Sequence, residues 1–240
     1  MSINKSLHYR YLDIVTVLFV AVLITSNIAS SAKIVDLGFS LFGIHLAFDG
    51  GTLLFPLAYI IGDILTEVYG FKAARRAIWT GFVVLAISAL LFFVLGILPG
   101  EQSWEEYAGS AAYDAILGGM STGGIVLASL SGYLVGSFSN SIALSKIKVL
   151  MKGRLLWVRA LGSTVIGQLL DSLAFVSIAC LAGVFPWELF VTLTFTNYVL
   201  KMLMEVLVLP FTYLSVLTLK KAENLDVFDN SEKYNPFGFK

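Results

Sequence analysis

Residues 55–81 read FPLAYIIGDILTEVYGFKAARRAIWTG, and no other stretch constrains the fold as strongly. The run begins apolar enough to enter a bilayer, carries Asp63 and Glu67 within it, and then breaks into Lys72, Arg75 and Arg76. An ionised side chain at the bilayer centre costs about 2.5–3.5 kcal/mol on insertion scales. Asp63 and Glu67 are four residues apart, so they share one helical face, which Tyr59 extends by a turn. Such a face must turn toward protein or water, so further helices are needed to cover it. The rest of the chain supplies them. Charged residues make up only 13% of the sequence and hydrophobic ones 58%, against about 25% charged in a soluble domain, and the mean hydropathy is +0.85. An all-α integral membrane protein is the class that fits.

Six spans of roughly 20 residues are expected at residues 12–32, 52–69, 77–98, 119–138, 160–181 and 189–217, forming one six-helix domain. A cytoplasmic, loosely ordered tail follows over residues 220–240. The last span is long enough to need a tilt or a kink near Pro210. Residues 33–50 are punctuated by glycine and partly alternating, which favours a hairpin or re-entrant loop. Residues 99–114 carry Glu101, Glu105, Glu106 and Asp114 with no Lys or Arg. They read as an external loop with an interfacial helix near Trp104 and Tyr107. Gly124, Ala128, Gly132 and Gly136 form a small-residue ridge that lets another helix approach closely. Its partner is either in the same chain or in a second copy, so a homodimer stays open.

Orientation follows from charge. With six spans, fourteen of the sixteen Lys and Arg fall on the side of the two termini, Lys33 and Lys201 being the exceptions. The positive-inside rule then places both termini in the cytoplasm.

Five ionisable residues lie inside the spans: Asp63, Glu67, Asp171, Lys201 and Glu205. Gln168 and Asp171 share a face of the fifth helix. Asn197, Lys201 and Glu205, each four apart, make a polar stripe on the sixth, flanked by Tyr198. Three helices thus carry a narrow polar stripe each, and the simplest packing turns all three inward, where Lys201 can compensate carboxylates. A packing network is the plain alternative, but four acids with one base exceed what packing needs. Glu67 is the weakest member, close enough to the cytoplasmic end to snorkel or pair with Lys72. His8 and His45 lie outside the spans, and no H-E-x-x-H, G-x-S-x-G or His/Cys ligand set occurs. Single Cys180 lies in an apolar run. An enzyme is disfavoured, and no cofactor, metal or nucleic-acid partner is expected.

Three segments together resemble a known family. P-x-x-Y-I-x-G-D-x-x-T-E-V-Y-G-x-K-x-A-R-R-x-I-W at residues 56–79, G-S-T-x-x-x-Q-L-x-D-S at 162–172 and N-Y-x-x-K-x-x-x-E-x-x-x-x-P at 197–210 are similar to the queuosine precursor transporters. The resemblance implies uptake of a 7-deazaguanine base, such as 7-cyano-7-deazaguanine (preQ0), across the bacterial inner membrane. It also implies a fold like the six-helix substrate-binding subunits of energy-coupling-factor transporters. A carboxylate can accept from adjacent N–H and amino donors of such a base, while Lys, Asn or Gln donates to its carbonyl and aromatic faces hold the ring. The candidate substrate-binding residues are therefore Tyr59, Asp63, Glu67, Gln168, Asp171, Asn197, Tyr198, Lys201 and Glu205, with Tyr59, Phe195 and Tyr198 for stacking. A proton-coupled secondary transporter is the leading mechanism. The alternatives are a binding subunit that needs a separate ATP-driven module, and a proton or ion channel.

Overall fold

A computed structural model describes residues 9–41, 44–121, 123–230 and 234–238. Its elements run α1 (Leu12–Ala32), β1 (Ile34–Leu41), β2 (Ile44–Asp49), a 3-10 turn (Gly50–Leu53), α2 (Phe55–Tyr69) and α3 (Phe71–Ile97). They continue as α4 (Gln102–Tyr107), α5 (Gly109–Ser121), α6 (Gly123–Leu150), α7 (Leu156–Leu181), a second 3-10 turn (Trp187–Leu189) and α8 (Phe190–Glu223).

Among the described residues, five segments are long and apolar enough to cross a membrane: α1, α3, the run Gly109–Leu150, α7 and the run Trp187–Glu223. At 15 residues, α2 is shorter than the roughly 20 that a bilayer asks of a helix. Large apolar side chains stay exposed along the outer faces, among them Ile87, Leu90 and Leu91 of α3 and Leu203, Leu207 and Phe211 of α8. In water such stripes would be patches calling for a partner; facing lipid tails, they need none.

The chain is helical as expected, with one short hairpin ahead of α2. β1 and β2 pair antiparallel, with Ile34 opposite Asp49 and Leu41 opposite Ile44, the hairpin that the alternating pattern suggested. The ladder is irregular between Asp36 and Ser40, around Gly38 at φ 73°.

Gly70 alone separates α2 from α3. Its φ of 83° is readily adopted only by glycine, and a Cβ there would lie 2.8 Å from Val227 and 2.9 Å from the Asp229 carboxylate. Because this single residue turns the chain, α3 begins at Phe71 rather than near residue 77, and Lys72, Arg75 and Arg76 belong to its first turns. Likewise α6 runs on to Leu150, well past residue 138, since nothing between Ser139 and Leu150 breaks a helix. α4 sits where the interfacial helix was expected, started by Glu101, whose carboxylate accepts from the Trp104 N–H at 3.0 Å.

In α1, Val15, Phe19, Leu23 and Ser26 form one buried stripe, packed with Ile60, Ile64 and Val68 of α2 and Ala74, Ala77 and Leu85 of α3. On the other side α6 and α7 lie in close contact. A Cβ on Gly136 would come within 2.5 Å of the Asp171 Cβ, and one on Gly167 within 2.6 Å of the Asn140 Cβ. The small-residue ridge therefore meets α7 of its own chain.

The start of α1 and the end of α8 meet. The Glu223 carboxylate accepts from the N–H groups of Arg10 at 2.9 Å and Tyr11 at 2.7 Å, and from the Tyr69 hydroxyl at 2.7 Å. The tail, expected to be loose, packs onto this end. Val227 N–H donates to the Val68 carbonyl at 3.4 Å, and Asp229 accepts from the Phe71 N–H at 3.0 Å and from Ser145. The Trp79 indole reaches the Pro236 carbonyl at 2.8 Å. These partners, supplied by α2, α3 and α6, are what composition alone does not reveal.

Candidate functional site

A cavity of about 480 Å³ opens between the helices, within the range of about 300–1,000 Å³ typical of small-molecule sites. Four expected residues line it: Tyr59 of α2, Asp171 of α7, and Asn197 and Lys201 of α8. Lys201 Nζ donates to Asp171 Oδ2, an ion pair that joins α8 to α7 at the cavity wall. Asp171 is seated on the glycine ridge: a Cβ on Gly132 would stand 2.8 Å from its Oδ1. The four-residue spacing of small residues in α6 thus makes room for an acid as well as for a helix.

Gln168, Asp63 and Glu205 lie outside the cavity lining, behind it. The Tyr59 hydroxyl donates to Gln168 Oε1 at 3.0 Å, so Gln168 acts on the cavity through Tyr59. Asn140 Nδ2 donates to Asp63 Oδ1 at 2.8 Å, and Asn140 is itself part of the wall. Glu205 is 1% exposed and neither of its oxygens has a hydrogen-bond partner among the described residues; the same holds for Asp63 Oδ2 and Gln168 Nε2. Tyr198 is half-buried and does not line the cavity. Phe195 is 66% exposed and faces away from the helix interior, so it does not serve as a stacking face. Phe175, one turn beyond Asp171, lines the wall and can take that role.

Glu67 is separated from this group. It is fully buried at the end where the tail docks, and its Oε1 accepts from Arg159 Nη2 and Lys220 Nζ at 2.6 Å each, with Lys148 Nζ at 3.6 Å. Lys72, the partner weighed from sequence, is exposed and plays no part. Lys148 Nζ also donates to the Glu67 and Val227 carbonyls and to Asp226 Oδ1, all at 2.6 Å. Burial pushes the Asp226 carboxyl up, but hydrogen bonds from Lys148 and Lys220 outweigh it and hold the group below the usual carboxylate range. Four helices and the tail are clasped here around one carboxylate.

The sequence reading missed Asn140, placed in a connection, and the polar wall formed by Ser129, Tyr133, Ser137 and Ser141 of α6. A signal was present: Asn140 continues the 124–128–132–136 ridge by one turn, and the other four are spaced by four. Asn27 of α1 also lines the cavity. Its Nδ2 donates to the Leu23 carbonyl at 2.8 Å.

Comparison with known proteins follows the same segments. Over 164 residues the chain is 29% identical to the "Probable queuosine precursor transporter" of Bacillus subtilis, covering 68% of this chain and 69% of that protein. It is 25% identical over 165 residues to the protein of the same name in Haemophilus influenzae, covering 68% and 66%. To the "Queuosine precursor transporter" of Escherichia coli it is 27% identical over 152 residues, covering 63% of each chain. The matches thus span about two thirds of these relatives. No solved structure matches the chain. The family described as "Putative vitamin uptake transporter" matches residues 49–215, a range that takes in α2 to α7 and most of α8 with every cavity residue named above except Asn27, and the chain belongs to that family.

Proposed function

We propose that this chain imports a 7-deazaguanine precursor of queuosine across the inner membrane as a six-span, proton-coupled secondary transporter. The observation that carries the reading is the cavity wall where Tyr59, Asp171, Asn197 and Lys201 converge. These groups suit a flat, neutral base with two adjacent donors and one acceptor. Asp171 accepts from the N–H and amino groups, Lys201 or Asn197 donates to the carbonyl, and Tyr59 with Phe175 flanks the ring. The bond from Lys201 to Asp171 orients both groups at the cavity wall. The names of the relatives point to the same substrate class.

Six crossings are supported by the meeting of Arg10 and Tyr11 with Glu223. Ends that lie together require an even number of passes, so α2 must cross with help from the turn before it. Both termini then lie on the basic side, which is cytoplasmic.

The test is complementation in bacteria unable to make or import the precursors. With trace 7-cyano-7-deazaguanine supplied, queuosine in tRNA should return with this chain and fail with Lys201→Ala, although the variant is in the membrane. Equal recovery with both would remove the cavity from the mechanism. No recovery with either would point to a missing energising module or another ligand.

A further inference from the structure

We infer that Asp63, Asn140 and Glu205 form a buried proton-binding site next to the cavity, distinct from the groups that contact the base. The coupling half of this inference rests on the transport reading above; the site itself does not. Asp63 and Glu205 are 2% and 1% exposed, on α2 and α8, two helices that pack against each other. Between them Asp63 Oδ2 and both Glu205 oxygens lack a hydrogen-bond partner among the described residues, and so does Asn140 Oδ1, itself 92% buried. Four acceptor oxygens without a donor are a deficit of protons. A buried carboxylate left ionised with nothing to bond it is far more costly than one that takes up a proton.

The charged surroundings bear this out from each packed element. On α2, Glu67 lies one turn from Asp63, but its charge is compensated by Arg159, Lys148 and Lys220. On α7, Asp171 is paired with Lys201, and Gln168 presents an amide. On α8, Lys201 is one turn from Glu205 and donates to Asp171. The Tyr59 phenol lies between, bonded to Gln168. α1 carries a single ionisable residue, Asp13, in its first turn. A hard metal cation takes about six to eight oxygen ligands, more than the four present, whereas a proton needs one donor bond and one acceptor.

Position supplies the link to transport. Asn140 touches Asp63 on one side and the cavity on the other, and Lys201 is one turn from Glu205 while holding Asp171. A proton taken from the outer side keeps the acid neutral while the base occupies Asp171, and the acid gives that proton up once the base has left toward the cytoplasm. In that step an O–H bond on the carboxylic acid breaks and the proton leaves to water on the cytoplasmic side, so base and proton cross in the same direction.

Infrared difference spectroscopy of the purified full chain in lipid tests the site without any substrate. The parental protein should show, at neutral pH, a protonated-carboxyl C=O band that shifts in heavy water, and Glu205→Gln or Asp63→Asn should remove it. A band unchanged in both variants, or absent from the parent, overturns the proton site. Uptake of radiolabelled 7-cyano-7-deazaguanine into proteoliposomes tests the coupling. An inward proton gradient should raise parental uptake several-fold, and in either variant the ratio with and without the gradient should fall to unity. A variant that keeps the parental ratio overturns the role of these acids. A parent that takes up no base sinks the transport reading instead, and the infrared result still decides the site. If Asp63→Asn does not insert, Glu205→Gln alone decides both measurements.

Discussion

Two buried acidic groups on α2, one turn apart, have opposite environments. Glu67 meets three cations from three helices at 2.6, 2.6 and 3.6 Å. Asp63 meets one amide, and its Oδ2 has no hydrogen-bond partner among the described residues. Both are buried to within 2%, so burial alone does not distinguish them; compensation does. Glu67 fastens α2, α6, α7 and α8 at one end, and nothing mobile can be asked of it without breaking several ion pairs. Asp63 is held by one hydrogen bond among the described residues.

Replacing each by its amide therefore separates the two most sharply. Glu67→Gln strands Arg159, which is 1% exposed, beside two lysines. Removing one member of a buried pair costs about 3–5 kcal/mol, so thermal unfolding in detergent should move down by many degrees or insertion should fail. Asp63→Asn removes a costly buried acid and keeps the volume, and stability should stay the same or rise. Equal losses in the two variants would erase the contrast and make both residues structural.

The next effect comes from the seat under Asp171. Gly136→Ala puts a methyl 2.5 Å from the Asp171 Cβ and 3.2 Å from the Gly167 carbonyl, so α6 and α7 must part. Overpacking of this kind costs about 1–3 kcal/mol. Because the displaced residue is the one that pairs with Lys201, uptake should fall more than stability does. Gly123→Ala meets nothing within 4 Å and is the control; thermal melts and uptake on the same preparations make the comparison. A Gly136→Ala protein with normal uptake would show that the ridge has no part in placing the acid.

How much of this was readable from the sequence differs between the two ends of the polar core. The stripes on α2, α7 and α8 were legible because helical periodicity puts Tyr59, Asp63 and Glu67, or Asn197, Lys201 and Glu205, on one face whatever the tertiary fold. The distribution of those residues over different depths was not. Glu67 went to the clasp and Tyr59 to the cavity because of what α6, α7 and the tail present at each level, and periodicity is silent on that. Asn140 was hidden for a related reason. It lies among serines shortly before a run of lysines, which reads as the end of a span until α6 is seen to continue to Leu150. The tail was misread because a charged, proline-containing segment looks soluble. Asp226 and Asp229 find buried partners only once the helices are assembled.

The smallest effect tests the outer edge of the clasp. Asp226 bonds Lys148 at 2.6 Å and Lys220 at 2.8 Å, but its side chain is 44% exposed, so solvent and salt screen the attraction. Asp226→Asn should cost at most about 1 kcal/mol and leave the Glu67 cluster in place. The sign of the pH dependence is fixed by the direction of the shift. A carboxyl held below its ordinary value of 3.8 stabilises the docked tail in full above that value, and the contribution fades as pH falls through the lowered one. Limited proteolysis should therefore cut residues 224–230 faster in Asp226→Asn than in the parent at neutral pH, and the difference should shrink in acid and in high salt. If the tail of the variant is as protected as that of the parent, the tail is held by its other contacts, those of Val227, Asp229 and Pro236 among them, and Asp226 adds nothing to the comparison between the closed end and the cavity.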